Sequence, residues 1–435
     1  MQINKESKLE EEKNVTISDV LINQEFEIFK NELTELTDLV KVLESKAEGK
    51  LLRWYISEVT RNSYLIEATV YLNSNNFDKA HNVNYVSNKH AVVNIIPTGI
   101  GCSVGGYAAD ATPANNLLAS QVDYVITNPN TVNASNFINL KDNVLYTEGY
   151  LIDKLMSGKT SLYPVTVNKV GLIIEKTSKE DLDVVYNLVN AIRAIHGIEI
   201  LPYVTKEEIG SYCKTASSGA YIGNIKNTNV LCEAAEYLIN SGCTSIAVTT
   251  NVKDLPMDNY KLHFEGKHPN PVGGVEAIIS HLIGYKYNVA CAHAPMINLK
   301  EMNLDDNVVD ARGAGEFSSE SGLACILIGL SKAPSPSEII GKMKDVVNVK
   351  NILAIIAPSS SLGSISIINA LKNNIPVIAV KNNETILNVD KKALNSNQII
   401  EVNNYLEASG VIQSLKMGIS IESIIRPLET LKYKN

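Results

Sequence analysis

The stretch Ile96-Pro97-Thr98-Gly99-Ile100-Gly101-Cys102-Ser103-Val104-Gly105-Gly106 follows directly on a β-branched run at 92–96. Its four glycines end the extended run and let the backbone turn sharply or approach a neighbour closely, because glycine alone tolerates positive φ without steric cost. A strand that runs into a glycine loop and then into a helical pattern is the repeating unit of a parallel sheet covered by helices.

The same texture recurs downstream. Strands are expected at 92–96, 122–127, 170–174, 198–203, 245–249, 288–292, 352–357 and 376–380. Helical patterns lie between most of them, at 179–195, 230–240, 274–283, 319–330, 365–372 and 404–416. The expected class is therefore α/β, with a largely parallel sheet or sheets and helices on both faces.

Upstream of residue 90 the pattern changes. Phe26, Phe29, Leu33, Leu36, Val40 and Leu43 recur at steps of three and four and predict an amphipathic helix. Its seam is shorter than the three or four heptads of a coiled coil, so packing on the chain's own body competes with pairing in a homo-oligomer. Leu52, Trp54 and Ile56, then Tyr64, Ile66, Ala68, Val70 and Leu72, alternate with polar neighbours around Arg61-Asn62-Ser63 and predict a β-hairpin. The Asn-rich stretch 73–90 and the run Ala333-Pro334-Ser335-Pro336 suggest boundaries. The expected division is a helix-plus-hairpin accessory module at 1–88, a main α/β domain at 89–334 and a C-terminal α/β lobe at 335–435.

Composition bounds the function. A chain of 435 residues exceeds one compact core, and 45% hydrophobic with 20% charged residues excludes wholesale disorder. The net charge of −8, without any basic run, disfavours nucleic acid. No stretch approaches the ~18 apolar residues of a membrane span, and the first residues lack a secretory core, so a cytoplasmic protein without membrane contact is expected. Six cysteines without a C-x-x-C pair fit neither a disulfide framework nor a zinc ribbon.

The candidate site residues lie where strands give way to loops. Thr98, Gly99, Gly101, Gly105 and Gly106 could turn backbone N–H groups toward an anion. Their spacing is not that of a dinucleotide fingerprint, and the next strand ends in Asn128 where an acidic ribose ligand would stand, so no cofactor is expected. Asn128, Asn130 and Asn133 crowd that second strand end, and Glu148 precedes a helix, where it either serves chemistry or complements the dipole. Asn270, Gly273 and Gly274 open another helix that carries Glu276. His293, at a further strand end, is the leading candidate base, and Asp310, Arg312 and Glu316 offer an anion clamp between two carboxylates. Ser359, Ser360 and Ser361 form a hydroxyl-rich loop before the helix at 365–372. No H-E-x-x-H spacing occurs, and no metal is expected.

Taken as a set, Ile96-Pro97-Thr98-Gly99-Ile100-Gly101, Glu148-Gly149-Tyr150, Gly273-Gly274-Val275-Glu276-Ala277, Ala292-His293-Ala294-Pro295 and Arg426-Pro427-Leu428 resemble the family catalogued as domain of unknown function 3326. The likeness covers about residues 90–430 and leaves out the N-terminal helix and hairpin. It implies a domain extent and points at the same loops without implying a reaction.

The resulting expectation is a cofactor-independent cytosolic enzyme acting on a small carboxylate- or phosphate-bearing metabolite by acid/base chemistry, with lyase, isomerase and hydrolase not separated. In that scheme Arg312 clamps the anion, and His293 moves a proton with Glu276, Glu316 or Glu148. The alternative is a non-catalytic metabolite sensor or assembly subunit that uses the same anion-binding loops.

Overall fold

The computed structural model describes residues 20–72, 88–107, 110–129, 139–296, 308–319, 322–337 and 345–433. Two parallel sheets form its body. The larger has six strands in the order Ile399–Val402, Val377–Val380, Ile352–Pro358, Ala91–Asn94, Tyr124–Thr127 and Val144–Tyr146, with every neighbouring pair parallel. The smaller has four, in the order Ala290–Pro295, Ser245–Thr250, Val170–Ile174 and Ile200–Val204, again all parallel. Every residue of Val170–Ile174 and of Val377–Val380 is buried, as a continuous apolar strand covered on both faces must be.

One hydrophobic cluster includes Val125 and Ile356 of the larger sheet, Leu172 and Ala292 of the smaller, and Leu323 and Leu327 of the helix Gly322–Leu330. The two sheets thus share a core through that helix. Gly322–Leu330 lies within the span 319–330 where the periodicity predicts a helix, and the short helix Ala314–Ser319 precedes it. Local caps agree with the fold elsewhere. Ser178 accepts from Asp181 N ahead of helix Lys179–His196, Ser364 caps Ile365–Lys372, and Asn404 caps Tyr405–Lys416.

The N-terminal module differs from the sequence expectation. Leu21–Phe29 is a strand, not the first half of a helix, and pairs antiparallel with Ser63–Tyr71 from Leu21 opposite Tyr71 to Phe29 opposite Ser63. Lys50–Val59 flanks Ser63–Tyr71 on its other side, so the expected hairpin is present within a three-stranded sheet. The helix that does form is Leu39–Lys46, which buries Leu39 and Leu43. The competing pattern is the period-two set Ile22, Gln24, Phe26 and Ile28, which satisfies an open hairpin edge. Phe29, assigned to the helical seam, is 45% exposed at the strand end.

Strands from both sides of the expected boundary at 334/335 share the six-stranded sheet, since Ile352–Pro358 pairs with Ala91–Asn94. Around that boundary, Ser335–Ser337 pairs with Ser161–Tyr163 as a two-stranded antiparallel ribbon.

Candidate functional site

A cavity of about 230 Å3 lies where the carboxyl ends of the parallel strands meet the hairpin. Pro97 and Thr98 follow strand Ala91–Asn94, Asn128 follows Tyr124–Thr127, Ser361 follows Ile352–Pro358, and His293 sits near the end of Ala290–Pro295. Strand ends of this kind are where open α/β sheets hold ligands. Helix Gly273–Tyr287 supplies Glu276, Ser280 and His281 as a second wall, and Lys50–Val59 supplies Arg53, Trp54 and Tyr55 as a third.

The glycine loop meets backbone rather than forming an open anion cradle. A Cβ on Gly274 would stand 2.4 Å from Tyr221 O, and one on Gly99, whose φ is +75°, would stand 2.9 Å from the same oxygen. The loop at 98–101, the segment 221–223 and the helix start at 273–275 therefore cross at backbone contact. The N–H groups farther along the loop are already bonded: Ser103 N donates to Glu384 O, Val104 N to Asn383 Oδ1 at 2.8 Å and Gly105 N to Asp110 Oδ1 at 2.8 Å. Gly99, Gly101, Gly105, Gly106, Gly273 and Gly274 do not line the cavity, while Thr98 does, its hydroxyl donating to Gly273 O at 2.9 Å.

Other nominated groups also serve the framework. Arg312 lies outside the cavity in a bidentate pair with Asp310, with Nε 2.8 Å from Oδ1 and Nη2 3.1 Å from Oδ2, and its guanidinium stands 4.4 Å from the Tyr107 ring centre. Glu148 is the N-cap of helix Gly149–Met156 and accepts from Tyr150 N and Leu151 N. Asn128 bridges the ends of two strands, accepting from Ile96 N and donating to Ile96 O, and Asn270 accepts from Val272 N; both also face the cavity. Ser360 bonds Thr385, and neither it nor Ser359 reaches the cavity. Asn130 and Asn133 lie outside the described residues.

The cavity keeps Glu276, His293 and Glu316 together and adds Arg53, Asp153 and His281. Arg53 is the group that sequence reasoning missed. Its guanidinium reaches Gly274 O at 3.5 Å and stands 5.8 Å from the Tyr55 ring centre, and among the described residues no carboxylate forms an ion pair with it. Burial holds its pKa below the usual guanidinium value. The available signal was an arginine set between Leu51, Leu52 and Trp54, three residues that the strand buries.

The carboxyl groups shift the other way. Burial, then the neighbouring Glu316, pushes Glu276 up to about 8. Burial raises Glu316 to about 7 against the hydrogen bond from Tyr260, and raises Asp153 to about 7 although Ser366 Oγ donates to it. His281 Nδ1 donates to Ala277 O at 2.7 Å, which leaves Nε2 the bare nitrogen, 4.0 Å from Asp153 Oδ2; burial, then Arg53, lowers its pKa to about 3.

His293 closes a relay of hydroxyls. Ser211 Oγ lies 3.3 Å from Asn251 O, which only accepts, and 2.6 Å from Thr250 Oγ1, which lies 2.9 Å from His293 Nε2. Running the donors toward that carbonyl makes Nε2 the protonated nitrogen and leaves Nδ1 a bare lone pair. Nδ1 is buried and has no hydrogen-bond partner among the described residues, and burial holds the imidazole neutral with a pKa of about 3. At neutral pH the described residues of the cavity thus offer one cation, partly protonated carboxyl groups and two neutral imidazoles.

A protein of Synechococcus sp. named an uncharacterized lipoprotein is 33% identical to this chain over 347 residues, covering 78% of this chain and 95% of its own length. No solved structure matches the chain. The family model that matches spans residues 91–425, which hold Glu276, His293 and Glu316 and leave out the hairpin carrying Arg53. That model is described as protein of unknown function (DUF3326), and the chain belongs to this family.

Proposed function

We propose that the chain is an enzyme that binds a small carboxylate- or phosphate-bearing metabolite in this cavity and moves a proton on it. The observation that carries the reading is Arg53, a desolvated guanidinium that forms no ion pair with a carboxylate among the described residues, facing groups of perturbed pKa across one cavity. Arg53 takes the clamping role expected of Arg312. Glu276 and Glu316, protonated over much of the neutral range, serve as acids, and the bare Nδ1 of His293 accepts. Acid/base help of this kind contributes about 10²–10⁴-fold in rate. Lyase, isomerase and hydrolase chemistry all accommodate these roles.

The test is a thermal-shift screen over carboxylated and phosphorylated metabolites, followed by turnover assays on each hit. A ligand at a hundred times its Kd adds about 2.7 kcal/mol of stability. Full turnover by His293→Ala would reject His293 as the base. The depressed basicity of both imidazoles favours the sensor reading as the alternative, and a ligand bound without conversion by any assay would select it. We place the protein in the cytoplasm, and recovery in the membrane fraction after cell lysis would overturn that placement.

A further inference from the structure

The cavity sets one guanidinium and two titratable carboxyl groups around the same space, and no ion pair joins Arg53 to Glu276 among the described residues. Among the described residues Arg53 donates to a carbonyl, Gly274 O at the first turn of helix Gly273–Tyr287, and the Glu276 carboxyl on the same helix has no hydrogen-bond partner. Glu316, 8% exposed, faces the same space, as does His293, 5% exposed, whose Nδ1 is unpartnered. We infer that the cavity takes a small zwitterion, its anionic end on Arg53 and its protonated amine on Glu276, Glu316 and His293.

An ammonium group carries three N–H donors and no acceptor, and these three side chains present three acceptors to one cavity. Two carboxyl groups buried near one another resist ionising together, and a cation seated against them is what removes that resistance. A ligand bearing only anionic groups gains Arg53 but brings more negative charge to the acid pair. The inference rests on the anion-site reading above and narrows its substrate class to amino acids or other amine-bearing acids.

The test compares matched probes on the full chain. The proteinogenic amino acids, β-alanine and 4-aminobutyrate form one set; lactate, propionate, succinate and inorganic phosphate form the other. Binding is read as a rise in Tm and as a change in the fluorescence of Trp54, the one tryptophan of the chain, which lines the cavity. At least one amine-bearing acid is expected to bind while its amine-free counterpart does not. Calorimetry of that hit at pH 7 in two buffers of different ionisation enthalpy should show release of about one proton per ligand, from the carboxyl pair.

Glu276→Gln and Glu316→Gln, each confirmed folded by circular dichroism, should weaken the amine-bearing ligand by about tenfold or more. Arg53→Met should weaken every ligand. Binding of succinate, lactate or phosphate as tightly as any amine-bearing acid would overturn the zwitterion and leave the anion site standing. Amine binding without proton release, or unchanged in both glutamine variants, would also overturn it. Silence from both probe sets would overturn the zwitterion and the anion site together.

Discussion

Raising the pH from 7 to 8 should destabilise the empty protein. Glu276 at about 8, with Glu316 and Asp153 at about 7, are raised from ordinary values of 4.5, 4.5 and 3.8, so across this window the folded state holds protons that the unfolded state has already lost. Stability falls wherever the folded state binds more protons, and for these groups the loss accumulates from their unfolded pKa values up to their folded ones. Integrating the three titrations gives a loss of about 1.7 kcal/mol between pH 7 and 8.

The buried histidines act in the opposite sense. His281 and His293 at about 3 and His263 at about 4 are neutral when folded, while their unfolded counterparts still shed residual protons above pH 7. They return about 0.4 kcal/mol, which leaves a net fall of about 1.3 kcal/mol. Urea titrations at pH 7.0, 7.5 and 8.0 and constant ionic strength, followed by Trp54 fluorescence, measure it. Glu276→Gln removes the largest of these three contributions and should shrink the fall by about 1 kcal/mol. A wild-type stability that stays level or rises over this interval would refute the protonated state assigned to the cavity.

Other substitutions test the framework. Arg312→Ala should leave ligand affinity within about twofold, because its guanidinium is engaged by Asp310 and Gly266 O outside the cavity; tenfold weakening in a binding titration would return the clamp to Arg312. Gly274→Ala forces a Cβ to 2.4 Å from Tyr221 O and Ile222 C, so a loss of about 1–3 kcal/mol is expected in urea midpoint analysis, and a neutral result would contradict the three-way backbone crossing. Asn383→Ala removes the buried amide that accepts from Val104 N and donates to Val104 O and Tyr405 Oη. It should cost about 2–3 kcal/mol, with the loop at 103–105 gaining amide exchange first.

The body of the fold was legible where its strands are buried on both faces and its helices carry side-chain caps. The run 170–174 coincides with the observed strand, and Ser364 marks the start of the helix read at 365–372. The N-terminal segment misled because Phe26, Leu33 and Leu36 fit a three-four repeat while Ile22, Phe26 and Ile28 fit a two-residue one, and only a neighbouring strand edge decides between them. The glycines were legible as sites of close approach, but the 221–223 backbone that Gly99 and Gly274 meet lies 122 residues from the first and 52 from the second. The carboxyl and imidazole groups at strand ends could be nominated from local pattern. The pairing of Arg312 with Asp310 and the freedom of Arg53 depend on which face each side chain takes, and no local pattern encodes that.

The placement of Ala91–Asn94 also sets the order of events during synthesis. One neighbour, Tyr124–Thr127, leaves the ribosome soon afterwards, whereas the other, Ile352–Pro358, lies some 260 residues downstream. At 5–20 residues per second that interval is about 13–52 s. Throughout it the nascent chain carries an apolar strand with one open hydrogen-bonding edge, a surface that invites pairing with another chain. Shielding by a chaperone, and a pace of elongation matched to it, would count for more here than in a protein whose central strands are neighbours in sequence.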